Sequence, residues 1–135
     1  MTRRVFCDTS ILIRYFAEDD IPRALAASNL LEEPDVELIV STGVLIELVH
    51  VMRTGHRVTN PTLAELLITF LTREHVQLVD ADAATVVASL NWSIQASARR
   101  IPDVILAAAA EQAGCDFIAS FDETFASPSV PVRLL

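Results

Sequence analysis

Four carboxylates are the residues of this chain best placed for shared chemistry: Asp8, Glu47, Asp103 and Asp122. Asp8 directly follows the apolar run Val5-Phe6-Cys7, and Asp122 comes just after the run that ends at Ala119-Ser120. Asp103 falls in the first turn of a helix begun by Pro102, and Glu47 in the second turn of a helix that follows the second apolar run. Taken singly, each has a plain structural use. Asp103 suits the positive end of a helix, an interaction of about 0.3–1 kcal/mol. Asp122 and Glu123 suit a turn or a cap. Glu47 sits near Val51 at the edge of a helical apolar arc of Val44, Leu45, Leu48, Val49, Val51 and Met52, partly removed from water. Asp8 is harder to read as a helix cap, because Thr9 and Ser10 are available for that role.

Taken together, the four fit one purpose. Like charges in one cleft repel, so ionisation of the last is suppressed, and a hard divalent cation reverses that logic. Oxygen-only donors suit magnesium or manganese, and magnesium takes one or two carboxylates together with waters and substrate phosphates. An all-carboxylate site therefore points to phosphate-ester chemistry, in which the metal polarises the phosphoryl group and makes water more acidic.

Bringing these residues together is a task for alternating elements. Short apolar runs at 5–7, 37–40, 76–79, 117–119 and 132–135 have strand character. Between them the spacing predicts helices over 10–17 with Thr9 or Ser10 as cap, from Asp20-Ile21-Pro22 through Leu31, and over 42–54 ending at Gly55. Further helices are predicted over 60–73, opened by Asn60-Pro61, over 82–99, and over 102–112 with Gly114 just past the end. This order implies βαβ units: an α/β, three-layer α/β/α sandwich on a short-stranded, mostly parallel sheet, forming a single domain over 1–135. In such sheets ligands bind beyond the carboxyl ends of the strands, and all four acids fall on that edge.

Composition removes most other classes. At 135 residues, 52% hydrophobic and 21% charged, the chain can build a core and is not a disordered one. All ten bases are arginine, so lysine nucleophiles and Schiff bases are excluded. Three glycines are too few for a phosphate-cradling loop. Cys7 and Cys115 show no metal spacing and read as buried free thiols. His50, His56 and His75 are scattered, Glu47-x-x-His50 is only half of a di-iron motif, and no Gly-x-Ser-x-Gly elbow occurs. The missing lysine also argues against a phospho-acceptor receiver domain and a haloacid-dehalogenase-type phosphatase. No signal-peptide core follows the N-terminal arginines, and the longest apolar stretch, 104–110, is far short of the roughly 20 residues of a membrane span. A cytoplasmic protein without a membrane partner is expected.

These motifs resemble those of the PIN-domain nucleases, in particular the VapC-type toxins of toxin–antitoxin modules. The matching pieces stand in family order: Val5-Phe6-Cys7-Asp8-Thr9-Ser10, Val44-Leu45-Ile46-Glu47-Leu48, Pro102-Asp103-Val104-Ile105-Leu106-Ala107, then Phe117-Ile118-Ala119 leading into Ser120-Phe121-Asp122-Glu123-Thr124-Phe125. The chain departs from the family at Phe121, often polar there, at Thr124, where an acid is usual, and at Val104, where alanine is common. The resemblance implies that Asp8, Glu47, Asp103 and Asp122 bind magnesium or manganese, Asp8 and Asp103 as the main anchors, with Thr9, Ser10 and Ser120 as supporting hydroxyls. It implies hydrolysis of an RNA phosphodiester that leaves 5′-phosphate and 3′-hydroxyl ends, a cognate antitoxin, and a homodimer whose contacts draw on apolar helices at 42–52 and 63–71. The competing reading is a catalytically inactive PIN-like module that only binds a partner. A net charge of −8 is awkward for an RNA-binding protein. The four acids supply half of that excess, and Arg14, Arg99 and Arg100 are placed to grip a backbone. Without a basic stripe interleaved with aromatics, a structured RNA recognised by shape is the expected substrate.

Overall fold

The short apolar runs pair side by side as one parallel sheet. A computed structural model describes residues 2–96 and 100–135. In chain order the elements are β1 (Arg3–Cys7), α1 (Thr9–Ala17), α2 (Ile21–Leu31), β2 (Val36–Ser41), α3 (Thr42–Thr54) and α4 (Asn60–Leu71). They continue with β3 (Val76–Val79), α5 (Ala83–Gln95), α6 (Ile101–Gln112), β4 (Phe117–Ser120) and β5 (Val132–Leu134). The strands lie in the order β3-β2-β1-β4-β5, every pair parallel, with Val5 of β1 opposite Leu38 on one side and Phe117 on the other.

Right-handed crossovers fix which face each helix covers. The steps β1 to β2 to β3 run in one direction and place α1–α4 on one face. The return from β3 across to β4 places α5 and α6 on the other. Accordingly α1 packs on α2 and α3, and α5 on α6. The expected three-layer sandwich is the observed fold. A central parallel strand covered on both faces should be apolar throughout, and Val5, Phe6 and Cys7 are fully buried. Ile11, Leu12, Leu31, Ile39 and Leu48 join them in the core. The strand order reverses between β1 and β4, and that reversal opens the crevice at the carboxyl edge.

Helix starts follow local chemistry. Asp20, Ser41 and Asp82 accept the N–H of Arg23, Val44 and Thr85, so each caps its helix. The cap of α1 departs from expectation. Asp8 itself caps it, accepting from the Thr9 N–H, while the Thr9 and Ser10 hydroxyls are used elsewhere. The reason is geometric: leaving β1 in extended backbone, the Asp8 carboxylate meets the first unpaired N–H of the helix before either hydroxyl can. Cys7 is buried as expected, which pushes its thiol up to about 12. Cys115 is only half-buried, a correction to its expected burial, although desolvation still raises it to about 12. Among the described residues no helix is long and apolar enough to cross a membrane.

Gly114 ends α6 with a left-handed φ of 67°, and a Cβ there would meet nothing within 4 Å. Gly114→Ala is therefore expected to cost about 1 kcal/mol through backbone conformation alone, read as a lower denaturation midpoint with an unchanged denaturant slope.

Candidate active site

Asp8 is the fixed point of the carboxyl edge. It is 7% exposed, and a buried carboxylate needs donors. Three supply it: the Thr9 N–H donates to Oδ1 at 2.7 Å, and the Ser10 and Ser120 hydroxyls donate to Oδ2 at 3.0 and 2.7 Å. Each serine oxygen also accepts from the loop after β4. Phe121 N–H donates to Ser10 Oγ at 3.0 Å and Asp122 N–H to Ser120 Oγ at 2.9 Å. Of the three expected supporting hydroxyls, Ser10 and Ser120 stand on Asp8, whereas the Thr9 hydroxyl turns to Glu47.

Asp122 follows in that loop. The Thr124 N–H and hydroxyl donate to its Oδ1 at 2.9 and 2.7 Å, and Arg100 Nη2 donates to Oδ1 and Oδ2 at 3.1 and 3.0 Å. These bonds, Thr124 first and Arg100 second, hold its carboxyl below the usual aspartate range. Asp103, in the first turn of α6, receives the Ala126 N–H on Oδ2 at 3.3 Å and lies 3.5 Å from Arg100 Nε. Burial is the largest influence on it and raises its pKa; the charges of Asp8 and Asp122 add to that, while Ala126 and Arg100 oppose it. Those three aspartates form one electrostatic unit.

Glu47 joins the group through Thr9, whose hydroxyl donates to its Oε2 at 3.1 Å. It is exposed rather than partly buried as expected. The first turns of α3 turn a wider face to solvent than the apolar arc implied, with Ile46 beside it 72% exposed. Arg14 reaches Asp19 at 3.3 Å, and no described contact links it to the acids. Arg99 lies outside the described residues. Arg100 is at the site, but it pairs with the acids and does not project as a free cation.

Sequence reasoning missed Thr124 as a partner of Asp122, although an Asp-x-Thr turn is a recognisable signal. It also missed the Ala126 N–H, for which no side chain could have spoken. Among the described residues no three His, Cys, Asp or Glu side chains stand as a ready ligand set for one metal ion; Arg100 instead bridges Asp103 and Asp122. The donor chemistry nevertheless fits a hard divalent cation. The side chains of the unit are carboxylates backed by hydroxyls, and the repulsion that Asp8 and Asp122 add to burial in raising Asp103 is what such an ion relieves. The edge is open. A groove lined by Tyr15, Phe16, Leu66, Phe70 and Arg73 lies elsewhere, between α1, α2 and α4.

The sequence matches the PIN domain family over residues 5–130. The chain belongs to that family. Solved structures share the PIN fold. Mycobacterium tuberculosis VapC20, a sarcin-ricin loop cleaving toxin, is similar at a TM-score of 0.70 and 20% identity, over 90% of this chain and 92% of that one. VapBC2 from Rickettsia felis, bound to a DNA fragment from their promoter, is similar at 0.68 and 15% identity, over 97% and 98% of the two chains. A toxin–antitoxin complex from Klebsiella pneumoniae follows at 0.65 and 15%, over 96% and 95%. Among curated proteins no sequence relative matches the chain.

The opposed environments of two aspartates in this PIN domain give a direct test. In a carboxyl-resolved NMR titration of the metal-free protein, Asp122 should titrate below the ordinary aspartate value of 3.8 and Asp103 above it. Asp122 then lends stability that is present above its unfolded pKa and lost as pH falls through its folded one. For Asp103 the sign is opposite, and its ionised form costs stability as pH rises through the raised value.

Proposed function

We propose that this PIN domain is a metal-dependent endoribonuclease, the toxin of a VapBC-type toxin–antitoxin pair. The observation that carries this reading is the electrostatic unit of Asp8, Asp103 and Asp122 at the β1/β4 crevice, with Asp8 buried and held by three donors. Membership of the PIN family and the fold shared with VapC20 support it. An open acidic edge suits an extended phosphodiester better than a small molecule that needs an enclosing pocket.

Asp8 and Asp103 are the main anchors for magnesium or manganese, completed by Asp122 and Glu47. The ion, when bound, supplies Lewis acidity toward water and the scissile phosphate, and charge that offsets the acids. The protein's own part is placement. Ser10 and Ser120 hold Asp8 in one orientation, which a ligand must keep to bind in fixed geometry. Glu47, exposed beside Thr9, orients the attacking water and takes its proton. In-line attack forms the new P–O bond and breaks the P–O3′ bond, leaving a 5′-phosphate and a 3′-hydroxyl. The antitoxin and a second copy of the chain are the expected protein partners, docking on the α3 and α4 faces that expose Ile46 and Ile68.

Incubation of the purified protein with total RNA should give cleavage that requires magnesium or manganese and stops with a chelator. Asp8→Asn and Asp103→Asn should each lower the rate by about a hundredfold or more, with far-UV circular dichroism unchanged. Asp103→Asn guards against misfolding, since Asp103 has fewer structural bonds than Asp8. Chelator-insensitive cleavage would point to a contaminant or another mechanism, whereas no cleavage of any RNA and no metal bound would favour a partner-binding module that does not cut.

A further inference from the structure

Arg100 does not behave as a surface arginine waiting for a ligand. It is the residue before α6, in the left-handed region at a φ of 58°, and its side chain gives the helix no capping bond. That backbone is disfavoured for a residue with a Cβ. The guanidinium it carries is turned onto the acid cluster through Nη2 and Nε. Nη2 donates to both oxygens of Asp122 at 3.1 and 3.0 Å, and Nε donates to the Thr124 carbonyl at 3.2 Å while lying 3.5 Å from Asp103 Oδ2. One planar cation thus spans two of the acids through which the proposed metal would bind.

Both Asp122 oxygens are occupied by one guanidinium nitrogen. A divalent ion that takes either oxygen must weaken that contact: Oδ1 already accepts from Arg100 and twice from Thr124, and at Oδ2 the ion would sit beside the guanidinium's like charge. Charge points the same way, because Arg100 lies 3.0 Å from Asp122 and 3.5 Å from Asp103, so a divalent ion held by these acids would sit beside a charge of its own sign. We propose that Arg100 is the internal counter-ion of this cluster, a positioning residue that competes with the divalent cation for Asp122 and so sets the metal affinity of the site. This rests on the metal-dependent reading above. Asp122 is then the ligand exchanged between arginine and metal, whereas Asp8, held by three donors and remote from Arg100 in the hydrogen-bond network, stays in place.

The test reads manganese binding without RNA, by electron paramagnetic resonance of free Mn2+ and by calorimetry, with circular dichroism confirming the fold. Arg100→Gln should bind Mn2+ about fivefold more tightly than the natural protein, the scale of an exposed charged pair. Arg100→Lys keeps the charge and loses the planar fork, so it should also gain affinity, by less. Unchanged or weaker binding in Arg100→Gln overturns the competition, and so does Arg100→Lys binding as the natural protein does, because a diffuse charge then explains the effect. Asp103→Asn separates this inference from the reading beneath it. If that variant loses Mn2+ while Arg100→Gln gains nothing, only the competition fails; if no variant and no natural protein binds Mn2+, both fail.

Discussion

The burial of one carboxylate organises this molecule. Asp8 ends the central strand at a point where water is largely excluded, and a desolvated anion left without donors would cost several kcal/mol. Its donors come from two elements, the start of α1 and the end of β4. Satisfying Asp8 therefore ties the first strand and helix to a strand more than a hundred residues later. The two serines then pass the constraint on, because each also receives an N–H from the loop at Phe121 and Asp122. Asp122 owes its position to Asp8, and the acid edge follows from how the fold solves one desolvation problem.

That solution leaves a second problem, which is charge. Three aspartates are brought within range of one another, and their environments separate them. Asp103 is pushed up by burial and by its neighbours, whereas Asp122 is pulled down by Thr124 and Arg100. Environments that drive two carboxyls apart are found where a protein needs unlike roles from like groups. In the proposed reading Asp122 is the ligand that changes partners and Asp103 the one whose ionisation most needs a cation nearby.

Much of the fold was legible in the sequence because its elements are announced by local rules. Among the described residues, five short apolar runs and six helix-length segments became five strands and six helices, with Pro22, Pro61 and Pro102 at helix starts and Gly114 just past an end. The carboxyl-edge rule for parallel sheets was enough to group Asp8, Asp103 and Asp122. What failed was detail set by angles rather than residue types. The cap of α1 went to Asp8 because the exit angle of the strand, invisible in the sequence, decided which oxygen reached the free N–H first. Glu47 lies further into solvent than a helical wheel implied, since a wheel cannot show where the neighbouring helix stops. Arg100 was read as a base facing outward, yet its contacts depend on a left-handed backbone that an arginine does not advertise.

The charge balance of the chain bears on how such an edge could handle a polyanion. Arg3 pairs with Glu33, Arg4 with Glu37, Arg14 with Asp19, Arg23 with Asp20, Arg73 with Glu32 and Arg100 with Asp122. Most of the ten arginines are thus already answered by acids within the protein, and among the described residues only Arg53, Arg57 and Arg133 stand outside such pairs, too few for a long backbone track of free cations. Affinity for RNA through released counterions grows with the number of phosphates neutralised, so this surface can neutralise few. Under the proposed reading the attraction is concentrated at the one place where an ion turns an acidic cluster into a phosphate site. Recognition then depends on whether the fold of an RNA presents a phosphodiester to that edge, and the repulsion of the remaining surface works against every RNA that does not.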